Sequence, residues 1–225
     1  MCGRLSLSAP NHRAAAKLLA DAVPGFEVEG LARWLEQAGY RPRYNVGPGQ
    51  EHWLIRGRED RPILDRGVWG FAMGAKPGKL VINARAETVA TKPMFRAAFA
   101  RTRCLIPADG FFEWQRREHE RQPWWFHRPE RSALLFAALV DPPASPDAAA
   151  RFSIVTVPAS EDLRWIHDRM PAIVDPEAVR TWLFADPRRA HELLGDREHE
   201  LEATQVSTRY NSLGYDEPLP LTRAR

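Results

Sequence analysis

An α+β fold is predicted: a single domain built on a β-rich mixed sheet with helices at its periphery. Strand-like runs dominate the middle of the 225-residue chain, and helical stretches are inserted singly rather than after each strand. No internal repeat and no linker-like stretch divides the sequence, so residues 1–225 read as one domain. A hydrophobic content of 44%, with eight Trp and ten Phe, suffices to fill a core of that size.

Asn11 to Ala22 reads as a helix because Ala14, Leu18 and Leu19 share one face; Leu31 to Ala38 is a second, stopped by Gly39. Arg43 to Val46 is a short strand running into the loop Gly47-Pro48-Gly49. His52 to Arg56 and Gly67 to Phe71 are strands, and Gly74 to Gly78 is a turn before a strand over Leu80 to Asn83. A helix within Thr91 to Arg101 starts at Pro93, where the missing N–H costs nothing. Strands follow over Arg103 to Ile106, Phe111 to Gln115 and Trp124 to His127. Leu134 to Val140 and Phe152 to Val157 flank an exposed connection over Asp141 to Pro146, and Met170 to Val174 is a further strand. Helices fit Pro176 to Ala185 and Pro187 to Leu194. A last strand near Ala203 to Ser207 leads into a Pro-rich tail, expected to pack poorly from about residue 212.

Charge excludes little. With 32 basic and 29 acidic residues the net charge is +3, which permits nucleic-acid binding without arguing for it; any phosphate site must come from clustered Arg. Two cysteines, Cys2 and Cys104, make neither a disulfide framework nor a metal-ligand set, and the seven His follow no zinc-binding pattern. No metal or cofactor is expected. No apolar run reaches the length of a membrane span and Leu5 to Ala20 carries no signal-peptide core, so a soluble protein of a reducing cytoplasm is the expectation, with a monomer as the natural oligomeric state.

The chemistry begins at Met1-Cys2-Gly3-Arg4. Removal of Met1, by an aminopeptidase or autocatalytically, leaves Cys2 with a free amine and a thiol two carbons apart. Such an aminothiol condenses with aldehydes: the amine forms an imine and the thiol closes it to a thiazolidine. An α-amine near ~7.8 is roughly one-seventh unprotonated at neutral pH, whereas a Lys near ~10.4 is below ~0.1%. Position 2 also suits Met removal merely by being small. Other clusters are Tyr44 to Gln50, Ile82 to Thr88, Arg103 to Trp114, and His167-Asp168-Arg169-Met170-Pro171.

Taken together, M-C-G-R, I-N-A-R-A-E-T, R-C-L-I-P-A-D-G-F-F-E-W and H-D-R-M-P, with Val206-Ser207 and Asn211 near the end, resemble the SRAP (SOS-response-associated peptidase) family. The sequence departs from it at Gly47-Pro48-Gly49, where A-P-T is usual, and after Trp69-Gly70, where the family commonly has a longer insertion. The resemblance implies a barrel-like sheet and a DNA-damage function: covalent capture of abasic sites in single-stranded DNA, including single-strand/double-strand junctions, which shields the lesion during replication.

It also implies roles. Cys2 is the nucleophile, Glu113 the proton shuttle at its amine and imine, and His167 the acid that serves the ring oxygen as the sugar opens. Asn83 orients the sugar or the aldehyde, and Thr156 helps hold the sugar. Arg4 and Arg85 clamp the flanking phosphates, with Arg169 a third candidate that could equally pair with a carboxylate. Trp69 and Trp114 stack on bases, and Asn45 and Pro48 border the lesion. Pattern alone leaves each residue a plainer reading: a strand-face Glu, a turn His, an N-capping Asn, a salt-bridged Arg. Two rival functions remain at this level, a cysteine peptidase using Cys2 and a non-covalent single-strand binding module. Cys104 reads as an inert buried thiol.

Overall fold

A computed structural model describes residues 3–73, 78–116, 118, 120–141, 149–195 and 199–219. Cys2, most of the predicted turn at 74–78 and all but the first residue of the 141–146 connection lie outside them.

Side-chain alternation sorts the central strands between two cores. Along Leu134–Asp141, Leu134, Phe136, Ala138 and Val140 join one cluster of buried residues, and Leu135, Ala137 and Leu139 join another. Such a strand is covered on both faces, which is why it reads as an unbroken apolar run. It pairs with Arg103–Ala108, which pairs with Glu51–Arg58 and then Arg61–Trp69. Arg61–Trp69 meets Arg151–Pro158 in parallel, and Arg151–Pro158 returns to Leu134–Asp141. The ring of pairings closes, the barrel-like sheet expected from the sequence. Closure removes the free edges that an open sheet would offer to other chains.

A second sheet runs Glu202–Gln205, Arg121–His127, Gly110–Arg116, Leu5–Leu7, Arg43–Val46, antiparallel throughout. Its Leu5, Phe111 and Phe126 share a core with Ile106, Leu134 and Phe136 of the ring. On the ring's other face, Phe99, Trp182 and Ala190 from helices pack on Leu105, Leu135 and Val155. Each large apolar side chain so buried contributes about 1.5–3 kcal/mol. The first helix, His12–Ala22, is capped by Asn11, whose side chain accepts from the Ala14 N–H at 2.9 Å. It packs with Val28–Gln37 over Leu7 and Trp53.

Two expectations change here. The α-helix near Pro93 spans only Arg96–Arg101, and one-turn helices at Ala86–Val89 and Glu161–Arg164 were too short to leave a periodic signal. The tail is also not loose through residue 219. Asp216 accepts from the Tyr44 and Asn45 N–H groups at 2.6 and 2.8 Å and from Arg43 Nε at 2.7 Å, and Leu219 is buried beside Phe112 and Trp125. A carboxylate that satisfies the backbone of a distant strand leaves no local pattern to read. Among the described residues, no helix is long and apolar enough to cross a membrane.

Candidate active site

Gly110–Arg116 is the strand around which the site is built. It starts at a close crossing: a Cβ on Gly110 would stand 2.1 Å from Trp125 Nε1, so only glycine fits. Three residues on, Glu113 is 2% exposed and faces Trp124 across the neighbouring strand. Burial is the main cause that pushes its carboxyl up from 4.5 to about 7, the range in which a carboxylic acid can both give and take a proton at neutrality. On the strand's other side, Leu5 stands opposite Phe111, and the Phe112 N–H donates to Arg4 O at 3.1 Å. Continued by two residues, that antiparallel register sets Gly3 opposite Glu113.

His167 follows the short Glu161–Arg164 helix, whose end packs on the strand beside Glu113, Arg121–His127, through an aromatic pair. Trp124 meets Trp165 edge-on, with ring centroids 5.0 Å apart and planes at 86°. A cleft of about 440 Å³ separates Trp114, Gln115 and Arg116 from Trp165, Ile166, His167 and Asp168. Partial burial holds the His167 imidazole below its ordinary pKa, with Asp168 opposing. Its Nδ1 lies 2.9 Å from the Arg169 N–H and 2.8 Å from Asp168 Oδ1. One nitrogen cannot serve both. The neutral ring accepts from Arg169 and keeps its proton on Nε2, whereas the imidazolium directs Nδ1–H to Asp168.

Strand Arg151–Pro158 joins the remaining candidates. It carries Asn83–Arg85 in parallel on one side and Arg169–Pro171 antiparallel beyond. Asn83 is half-buried; Arg85 is exposed, and its side chain makes no hydrogen bond or ion pair among the described residues. Arg169 is buried instead. It grips Glu87 with both terminal nitrogens and donates to Thr156 O at 2.5 Å, so its charge is engaged inside the protein and its assignment to DNA is corrected to a structural pair. That pair holds Glu87 well below the usual carboxylate range. Thr156 is fully buried with its hydroxyl toward Ala84 O at 3.4 Å, which fits bracing of the Asn83 strand rather than contact with a sugar.

Two more assignments are corrected by burial. Trp69 is completely buried, stacked on Phe152 at 6.0 Å, and its Nε1 donates to Ile82 O at 3.0 Å. No base can reach its faces, and its hydrogen bond steadies the residue before Asn83. Asn45 is also fully buried, and its Nδ2 is within 3.3, 2.9 and 2.8 Å of the carbonyls of Tyr210, Ser212 and Tyr215. It anchors the closing segment of the chain. Pro48, half-buried in its turn, keeps a surface position.

That closing segment organises Arg4 and Trp114. Trp114 Nε1 donates to Asn211 Oδ1 at 2.7 Å, Arg4 reaches Asn211 O at 3.5 Å, and the Arg4 guanidinium lies 5.6 Å from the Trp114 ring centre. Asn45→Ala is therefore expected to cost about 2–3 kcal/mol, since three carbonyls lose one shared donor. A melting-temperature drop of roughly 4–12 °C should accompany weaker strand binding. Cys104 is buried, and burial pushes its thiol up, as an inert cysteine requires. Sequence reasoning offers Glu87 only as a partner for Arg85, whereas its partner is Arg169, and it does not single out Asp216 or Trp165, which carry no local signal.

A family model described as SOS response associated peptidase (SRAP) matches residues 1–213. The chain is 39% identical to the abasic site processing protein YedK of Escherichia coli over 142 residues, 63% of this chain and 64% of that one. It is 32% identical to the abasic site processing protein YoqW of Bacillus subtilis, across 94% of this chain and 95% of that one. Among solved structures, a phage-related protein of Bordetella bronchiseptica superposes with a TM-score of 0.71 at 27% identity, covering 91% of this chain and 94% of that one.

Proposed function

The chain belongs to the SOS response associated peptidase (SRAP) family, and from that membership we propose that it captures the aldehyde of an abasic site in single-stranded DNA through Cys2. The names of its relatives, abasic site processing proteins, support the substrate class. One observation carries the mechanism: a buried carboxyl with a pKa near neutrality, Glu113, stands beside the N-terminal strand and within electrostatic reach of Asp168, the neighbour of His167.

The steps balance as follows. An abasic sugar is mostly a closed hemiacetal. Opening breaks the bond between C1′ and the ring oxygen, the anomeric hydroxyl loses its proton, and the ring oxygen gains one from His167. The Cys2 amine adds to C1′, and water leaves as Glu113 moves protons between nitrogen and oxygen. The thiol then adds to the imine carbon, closing a thiazolidine whose net by-product is one water. Asn83 orients the sugar. Arg4 and Arg85 hold flanking phosphates, while Trp114, already under the Arg4 guanidinium, offers a base a stacking face.

The test is a denaturing gel with an oligonucleotide carrying one abasic site. A heat-stable shifted band supports capture. Peptide turnover without a band would favour a peptidase, and neither event would leave only a binding module. Arg85→Ala is expected to weaken binding to every single strand alike, and to flatten the log–log salt dependence by about 0.7 per lost phosphate contact. An unchanged slope would remove Arg85 from the phosphate path.

A further inference from the structure

Resting on the single-strand reading above, we propose that the cleft beside His167 is a second nucleotide subsite: Trp165 stacks on a base adjoining the lesion, and the Arg116–Arg121 pair receives that nucleotide's phosphate. Trp165 is 49% exposed, unusual for an indole. Its orientation is fixed from two sides, by the edge-on contact with Trp124 and by donation from Nε1 to Asp162 O at 2.8 Å. A large apolar ring held rigidly and left open to water offers a face at little entropic cost.

The second observation is electrostatic. Arg116 and Arg121 stand directly opposite one another on antiparallel strands, and both are exposed. Like charges in that position repel, and among the described residues neither makes an ion pair. An anion placed between them would relieve the repulsion. Arg116 also lines the cleft opposite Trp165. An aromatic face on one side of the cleft and, on the other, Arg116 backed by its strand partner Arg121 match a nucleotide, whose base is flat and whose phosphate is charged. The nearest carboxylate in the cleft, Asp168, is turned to His167 Nδ1 at 2.8 Å. The chemistry implies no sequence preference, because every base has a π-face.

The experiment uses the full chain and a fluorescent undamaged oligo-dT, so that it stands apart from covalent capture. Trp165→Ala is expected to weaken binding by about 5- to 150-fold, from roughly 1–3 kcal/mol per stacked base, while Trp165→Phe retains most of the affinity. Arg116→Ala should lower the salt slope by about 0.7. Shortening the oligonucleotide from one end should abolish the Trp165→Ala defect while leaving the Arg85→Ala defect in place. Wild-type affinity in Trp165→Ala, with melting temperature unchanged, would overturn the subsite. So would a defect that persists at every oligonucleotide length. If abasic DNA gave no adduct but these binding effects appeared, the subsite would stand and the capture mechanism would fall.

Discussion

His167→Ala is expected to slow capture of a natural abasic site by about 100-fold or more, the ordinary loss for a removed general acid. The expectation follows from the step served. Without an acid at the ring oxygen, the closed hemiacetal opens only at its solution rate. An analogue whose aldehyde is already open bypasses that step, so the same variant should be only slightly impaired on it. As the acid, the imidazolium directs Nδ1–H to Asp168, so Nε2–H is the proton given to the ring oxygen. Single-turnover rates on both substrates decide the matter. Equal defects on the two would replace the acid role with a positioning one.

Glu113→Gln should impair both substrates, by roughly 10²- to 10⁴-fold, because carbinolamine dehydration and ring closure follow opening in either case. Reversal of the adduct should slow as well, since the same proton must return. The variant has a second signature that a merely structural residue lacks. The folded-state pKa of Glu113, about 7, lies above its ordinary 4.5. Its neutral form therefore stabilises the fold below about 4.5, and that contribution disappears as pH rises through about 7. Glutamine cannot ionise. Relative to wild type, Glu113→Gln should gain stability above pH 7, with an upper bound on the order of 3 kcal/mol from 1.36 kcal/mol per pKa unit. Below pH 4.5 the two proteins should melt alike. Thermal melts at pH 4 and pH 8 separate the cases, and a pH-independent difference would mean that folding does not shift the Glu113 pKa.

Legibility in the sequence followed locality. Closely spaced motifs singled out Glu113 and His167 as candidates, because the family resemblance runs through the very residues that flank them. Strands were legible where successive residues faced two cores in turn and left an unbroken apolar run, as along Leu134–Asp141. What failed was any judgement that needed to know which side of a strand is covered. Trp69 and Trp165 are the same residue type, yet one is sealed against Phe152 and the other open beside His167. Asn45 looked like a loop residue near the lesion, but its partners lie at positions 210 to 215. Arg169 and Glu87, 82 residues apart, meet only because both pack beside Arg151–Pro158. Short helices such as Glu161–Arg164 leave too few turns for a period to show.

The central claim is that Cys2 forms the bond, and mass spectrometry of the digested adduct tests it most directly. Wild-type protein lacking Met1, incubated with an abasic oligonucleotide and heated, should yield a modified N-terminal peptide. Its mass should equal peptide plus sugar-bearing fragment minus one water, and Cys2→Ala should yield none while still binding undamaged single strands. A protein extended by an uncleavable tag ahead of Cys2 should likewise give no adduct, because an amide nitrogen cannot form the imine. A heat-stable adduct in Cys2→Ala, or one mapped to a lysine in the wild type, would contradict the mechanism.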